Sequence, residues 1–142
     1  MIVLDTHVWI RWLHPELGQT LPPELRVWLE ESAEPLAVSV ISSLEVAQLV
    51  KKGVLSLPVP LPQWYRCALV GSDITCLPLS PELLYASTRL PDIHRDPADR
   101  IIIATAQSYD AVLVTRDETI VRYPGLRTLW QMLPEKSNNE QQ

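Results

Sequence analysis

Two short apolar runs, Ile2-Val3-Leu4 and Val112-Leu113-Val114, are unbroken rather than alternating, and an aspartate follows each within three residues. Unbroken runs of this length are strands buried on both faces, the arrangement of a parallel sheet covered by helices. Residues 36–41, 74–79 and 126–129 form further strand segments, beside 2–5 and 111–115, and helical stretches separate them. This alternation predicts an α/β three-layer sandwich around a central, mostly parallel five-stranded sheet. In such sheets ligands bind outside the carboxyl ends of the strands, near the switch in strand order. If the first and fourth strands are neighbours, Asp5 and Asp117 face one crevice.

The helices carry their own punctuation. Val8 to Leu13 lies in a helix that stops before Pro15, because the residue ahead of a proline leaves the helical region. Pro22-Pro23 opens a second helix bearing Leu25, Val27, Trp28 and Leu29. Ser42-Ser43-Leu44-Glu45 has the Ser-x-x-Glu form of a capping box and starts a third helix through Val50, with Gly53 as its C-terminal cap. The proline-rich stretch 56–62 reads as a loop, and Pro62 opens a fourth helix through Leu69. Ser80 caps a fifth, with Pro81 at its first position. After a polar loop over 90–97, Asp96-Pro97-Ala98-Asp99 opens a sixth helix that runs to Tyr109.

The length of 142 residues suits one domain, expected over 1–134, followed by a polar tail over 135–142 expected to be disordered. With 46% hydrophobic and 20% charged residues the chain can build a core. No apolar stretch is long enough to span a bilayer, and Met1-Ile2-Val3-Leu4-Asp5 lacks the basic start of a signal peptide. A cytoplasmic location is therefore expected. Cys67 and Cys76 lack metal-ligand spacing and are expected to be reduced, Cys76 as a core residue. A net charge of −5 weighs against a broad nucleic-acid surface. Arg95, Arg100, Arg116 and Arg122 lie near the acids in sequence and could form a phosphate-binding rim, although each taken singly reads as a solvated charge.

Asp5, Glu45, Asp99 and Asp117 stand where an apolar run ends or a helix begins. Carboxylates at the ends of buried strands are costly unless compensated. No lysine or histidine is expected to pair with these four. A hard divalent cation is the simplest compensation, so the pattern points to metal-dependent cleavage of a phosphodiester. Each acid also has a structural account. Asp5 can end a strand and cap a helix, and Glu45 can complete the capping box. Asp117 suits a turn. Asp99 sits in a first turn that favours acids by about 0.3–1 kcal/mol. Asp96 is the expected cap there and Asp99 the functional acid; the two could exchange roles, or Asp96 could touch the site from its edge. His94 reads as a loop residue rather than a ligand.

Val3-Leu4-Asp5-Thr6-His7, Ser42-Ser43-Leu44-Glu45-Val46-Ala47, Asp96-Pro97-Ala98-Asp99-Arg100-Ile101-Ile102-Ile103-Ala104-Thr105-Ala106 and Leu113-Val114-Thr115-Arg116-Asp117-Glu118 together resemble the motifs of PIN domains, from residue 2 to near 130. The branch they look most like is the VapC-type toxin ribonucleases of bacterial and archaeal toxin–antitoxin pairs. The resemblance implies strand order 3-2-1-4-5 and Mg²⁺- or Mn²⁺-dependent endoribonuclease cleavage of single-stranded or loop RNA. It also implies a homodimer held by a small antitoxin. The family's acidic positions fall on Asp5, Glu45, Asp99 and Asp117, with Thr115 beside the site. Asp5, Asp99 and Asp117 are then the expected metal ligands, and Glu45 a fourth or the holder of a water. Asp96, Arg100 and Arg116 are possible supporting residues. An antitoxin segment could run past Trp9 and Trp12, which read equally well as core or dimer contacts. Two departures, Ala98 where relatives often carry an aromatic and Leu44 where many carry Trp, concern packing more than chemistry.

Two other classes compete with this reading. A phosphatase with an aspartyl nucleophile usually shows Asp-x-Asp at the first strand, and Asp5-Thr6-His7 lacks the second acid. A housekeeping PIN nuclease, or a non-catalytic PIN-like interaction module, is the remaining alternative; the presence of all four acids argues against the non-catalytic form.

Overall fold

The computed structural model describes residues 1–17 and 21–131. The elements are β1 (Ile2–Leu4), α1 (Thr6–Leu13), α2 (Pro23–Glu31), β2 (Leu36–Ser39), α3 (Ile41–Lys51), α4 (Leu61–Ala68), β3 (Ile74–Leu77), α5 (Pro81–Thr88), α6 (Pro97–Ser108), β4 (Val112–Val114), α7 (Glu118–Val121) and β5 (Thr128–Leu129), with 3-10 turns at Pro15–Leu17 and Val70–Ser72. The sheet order is β3-β2-β1-β4-β5. Every pairing is parallel, with Val3 opposite both Ala37 and Leu113.

The unbroken apolar runs are buried on both faces. Ile2, Leu4, Val38 and Val114 point to one side, where Val8, Trp9, Leu25, Val46 and Trp64 of α1–α4 cover them. Val3, Ala37 and Leu113 point to the other, against Ile102, Ile103 and Ala106 of α6 and Ile120 of α7. Helix α5 packs on the outside of α6. The result is the expected three-layer sandwich. Trp9 is fully buried, donates from Nε1 to the Ala68 carbonyl at 3.0 Å and meets Trp64 with ring centres 4.8 Å apart. It is therefore a core residue and no part of an exposed path. Trp12 remains at the surface side, beneath the Arg26 guanidinium.

Helix α1 begins at Thr6, with Asp5 in extended backbone as its cap, as the sequence allowed. Several boundaries differ from the sequence reading. Helix α3 begins at Ile41 with Val40 ahead of it and no side-chain cap, so the expected capping box does not form. The end of α3 is as expected. Gly53 has φ +74°, and the Gly53 and Val54 amides bond back to the Val50 and Leu49 carbonyls, which is a Schellman ending. Helix α7 was not anticipated. Cys76 is half-buried rather than core, since β3 is the edge of the sheet; burial still pushes its thiol pKa up. The expected tail over 135–142, and the end of the domain at 134, lie outside the described residues.

Candidate active site

Because β1 and β4 are parallel neighbours, both release their chains at the same edge of the sheet. Asp5 continues the ladder, its amide bonding to the Val114 carbonyl at 3.0 Å. Thr115 then donates from Oγ1 to Asp5 Oδ2 at 2.7 Å, across 110 positions of sequence. The other Asp5 oxygen takes the Thr6 amide at 2.8 Å. Asp5 and Thr115 are both buried.

Helix α3 brings Glu45 to the same crevice, where its Oε1 accepts the Thr6 hydroxyl. A hydroxyl has one hydrogen to give. The contact between Thr6 Oγ1 and Ser42 Oγ, at 2.8 Å, is therefore a bond donated by Ser42. Ser42 and Glu45 lie three residues apart on one helical face, and that face serves the site instead of the helix end. Burial raises the Glu45 pKa above its usual value, with the charges of Asp5 and Asp96 adding to it and the Thr6 bond opposing.

Helix α6 enters with its N-terminus at the same edge. Asp96 is its cap, accepting the Ala98 amide at 2.9 Å. Asp99 follows in the first turn. Burial first, then the charges of Asp5, Asp96 and Glu45, push its pKa up to about 7. A helix dipole is worth up to about 2 kcal/mol at a partly buried site, and the Asp99 pKa stays raised in spite of it. Asp117 caps α7, with Oδ1 accepting from Thr119 and Ile120. Burial alone would raise its pKa, but those bonds and His94 outweigh it and hold the carboxyl below the usual range.

The structure thus gathers all four expected acids, and Asp96 with them. It also corrects three expectations. The acids do have partners. Asp5 takes the Thr115 hydroxyl; His7 Nε2, 3.3 Å from Asp5, is itself an acceptor and donates nothing to that acid. His94 Nε2 is 2.9 Å from Asp99 and 3.2 Å from Asp117. His94 is therefore no bystander in its loop. Arg100 does not belong to a phosphate-binding rim: its guanidinium is turned inward onto the carbonyls of Ser87, Leu90, Pro91 and His94. Arg116 is exposed and lends the site its backbone amide, which donates to His7 Nε2 at 3.1 Å. Arg95 and Arg122 are exposed. The residues missed in the sequence are Thr6, His7, Ser42 and His94. The Ser42–Glu45 spacing could have revealed a shared helical face; the histidines gave no such signal.

Two sets of side-chain atoms are close enough to hold a metal ion. His94, Asp99 and Asp117 form one and Glu45, Asp96 and Asp99 the other, with atoms in each set within 4.8 Å of one another. The acids open into a groove of about 910 Å³ that continues past Ile10, Arg11, Leu49, Lys52 and Leu55. Among the described residues no helix is long and apolar enough to cross a membrane.

The carboxylates thus gather at the carboxyl edge of a parallel sheet, where folds of this kind bind their ligands. The sequence matches the PIN domain family over residues 2–126, and the chain belongs to that family. It is 29% identical over 132 residues to ribonuclease VapC22 of Mycobacterium tuberculosis (strain ATCC 25618 / H37Rv), covering 91% of this chain and 98% of that one. Among solved structures it resembles a chain of a toxin–antitoxin complex from Klebsiella pneumoniae, with a TM-score of 0.63 and 24% identity, covering 93% of this chain and all of that one. It also resembles a chain of VapBC2 from Rickettsia felis bound to a promoter DNA fragment, with a TM-score of 0.65 and 18% identity, covering 92% of this chain and all of that one. At those identities the structures speak to the fold.

Proposed function

We propose that this chain is a divalent-metal-dependent endoribonuclease and the toxin of a toxin–antitoxin pair. The observation that carries the nuclease reading is the convergence of Asp5, Glu45, Asp99 and Asp117 on one groove, with Asp99 holding its proton up to about pH 7. Carboxylates crowded in this way call for a cation. Their oxygen donors suit Mg²⁺ or Mn²⁺, which prefer carboxylate and water. The PIN family match and the relative named as a ribonuclease support RNA as the substrate.

Asp5, Asp99 and Asp117 are the residues to hold the ion, with Glu45 beside them. The ion supplies a water of lowered pKa and positive charge for the phosphate. Thr115 and the Thr6 amide fix the two Asp5 oxygens, so that carboxylate cannot rotate. Thr6 occupies Glu45 Oε1, and the second oxygen of this groove-lining acid would be the one free to take a proton from a water there. Its raised proton affinity suits that task.

The toxin reading draws on the solved toxin–antitoxin complexes of the same fold. We place the protein in the cytoplasm as a homodimer, with a small antitoxin lying across the groove and a basic side chain among the acids. The test is expression in a bacterial host. The wild type should arrest growth and Asp5→Asn should not. Purified wild type should cleave RNA with Mn²⁺ and stop when a chelator is added. Equal growth with both soluble proteins would remove the toxin reading and leave a housekeeping nuclease. Cleavage that survives the chelator would remove the metal.

A further inference from the structure

His94 has every polar group engaged. Its backbone amide donates to the Tyr123 hydroxyl at 2.8 Å, and its carbonyl accepts from Arg100 at 3.1 Å. The Asp96 amide donates to its Nδ1 at 3.1 Å, and its Nε2 faces Asp99 and Asp117. Arg100 further secures the preceding chain through the Leu90 and Pro91 carbonyls. A histidine idle in a loop has no need of such anchoring.

The Asp96 contact decides which ring nitrogen carries the hydrogen. A backbone amide can only donate, so Nδ1 must accept and cannot itself bear hydrogen. The hydrogen then sits on Nε2 and points at the Asp99 and Asp117 carboxylates. A metal bound at Nε2 would require the opposite tautomer, whose Nδ1–H would oppose the Asp96 amide. Proximity alone would make His94 a ligand; the hydrogen bonds argue otherwise.

We propose that His94 is a positioning residue of the acidic centre: Nε2–H bridges Asp99 and Asp117 and sets the gap between them, without ligating the metal. The proposal rests on the reading of these acids as a metal centre. The start of helix α6 supplies most of the device, with Asp96 orienting the ring, Arg100 fixing the loop and Asp99 receiving the hydrogen bond, while Asp117 at the start of α7 is the second acceptor.

The test uses the full chain with ¹⁵N-labelled histidine. Nitrogen resonances of the three histidines, with the His94→Gln spectrum for assignment, should show His94 protonated at Nε2 and not at Nδ1, both metal-free and with Mg²⁺ bound. Calorimetric Mn²⁺ titration supplies the second readout. His94→Gln places an amide nitrogen near the Nε2 position and keeps the donor, so its affinity should stay within about threefold of wild type. His94→Asn reaches only the Nδ1 position and should bind about tenfold more weakly or worse, as when a ligand's orienting partner is removed. Transfer of the hydrogen from Nε2 to Nδ1 on Mg²⁺ binding would make His94 a ligand and overturn the proposal. So would wild-type affinity in His94→Asn, or equal weakening in both variants. A wild type that binds no Mn²⁺ would sink the metal centre itself, and this role with it.

Discussion

Replacing Asp99 by asparagine removes charge from the middle of the acidic cluster while keeping shape. The amide oxygen still accepts from His94, and Asp96 still caps α6. What disappears is a carboxylate whose pKa burial and the neighbouring acids raise from 3.8 to about 7. Each tenfold change in proton affinity is worth about 1.4 kcal/mol, so the whole rise corresponds to about 4 kcal/mol. The side chain keeps 16% of its surface in water, and screening there reduces the figure to about 2 kcal/mol. The folded chain holds this proton more tightly than the unfolded chain does. Without metal, the contribution of this one group to wild-type stability is therefore fullest below about pH 4 and is lost as pH rises through about 7. The asparagine variant lacks that decline. Its advantage should be near zero at about pH 4 and reach about 2 kcal/mol by about pH 8, or about 6 °C in midpoint for a domain of this size. Thermal melts in chelator across that range measure it, and an RNA cleavage assay with Mn²⁺ should show the same variant inactive. A variant less stable than wild type at pH 8, or a difference that ignores pH, would refute the reasoning.

Asp96→Ala should cost about 1 kcal/mol by losing the cap of α6 while keeping part of the RNA cleavage; inactivity as complete as that of Asp99→Asn would reverse their roles. Thr115→Val strips a buried hydroxyl from both Asp5 Oδ2 and the Asp117 amide, and urea unfolding should show a loss of about 1–3 kcal/mol. Arg100→Met should loosen residues 90–96, seen as faster amide hydrogen exchange there with the sheet unchanged. Mn²⁺ at a hundredfold excess over its dissociation constant should raise stability by about 2.7 kcal/mol, and an unmoved melting midpoint at millimolar Mn²⁺ would count against the metal centre.

The strands were legible because Ile2-Val3-Leu4 and Val112-Leu113-Val114 admit few other readings: burial on both faces forbids polar residues. The acids followed, since a strand's carboxyl end is also where a parallel sheet leaves room for a ligand. Local pattern misled at Ser42–Glu45. The capping-box spacing is also the spacing of one helical face, and the pull of Thr6 from α1 decided between them. His7 was missed because its partner comes from elsewhere in the chain, the bond from Arg116 spanning 109 positions; His94 was missed because its ring lies between Asp99, close in sequence, and Asp117, which only the fold brings near. Arg100 misled for a related reason. Its charge suggested phosphate, whereas the loop it follows presents a set of carbonyls that only the folded chain brings together.

Asp5 and Asp117 each serve the fold as well as the groove, since their oxygens hold the starts of α1 and α7. This double duty changes what their presence in a sequence can testify to. A chain that had lost catalysis would still be selected to keep an acid at both positions, for the sake of its helices. Glu45 and Asp99 cap nothing, and Asp99 is a burden to the metal-free fold. Those two are where a lapse of activity would first be written into a PIN sequence, and where a reader deciding between a living enzyme and a retired one should look.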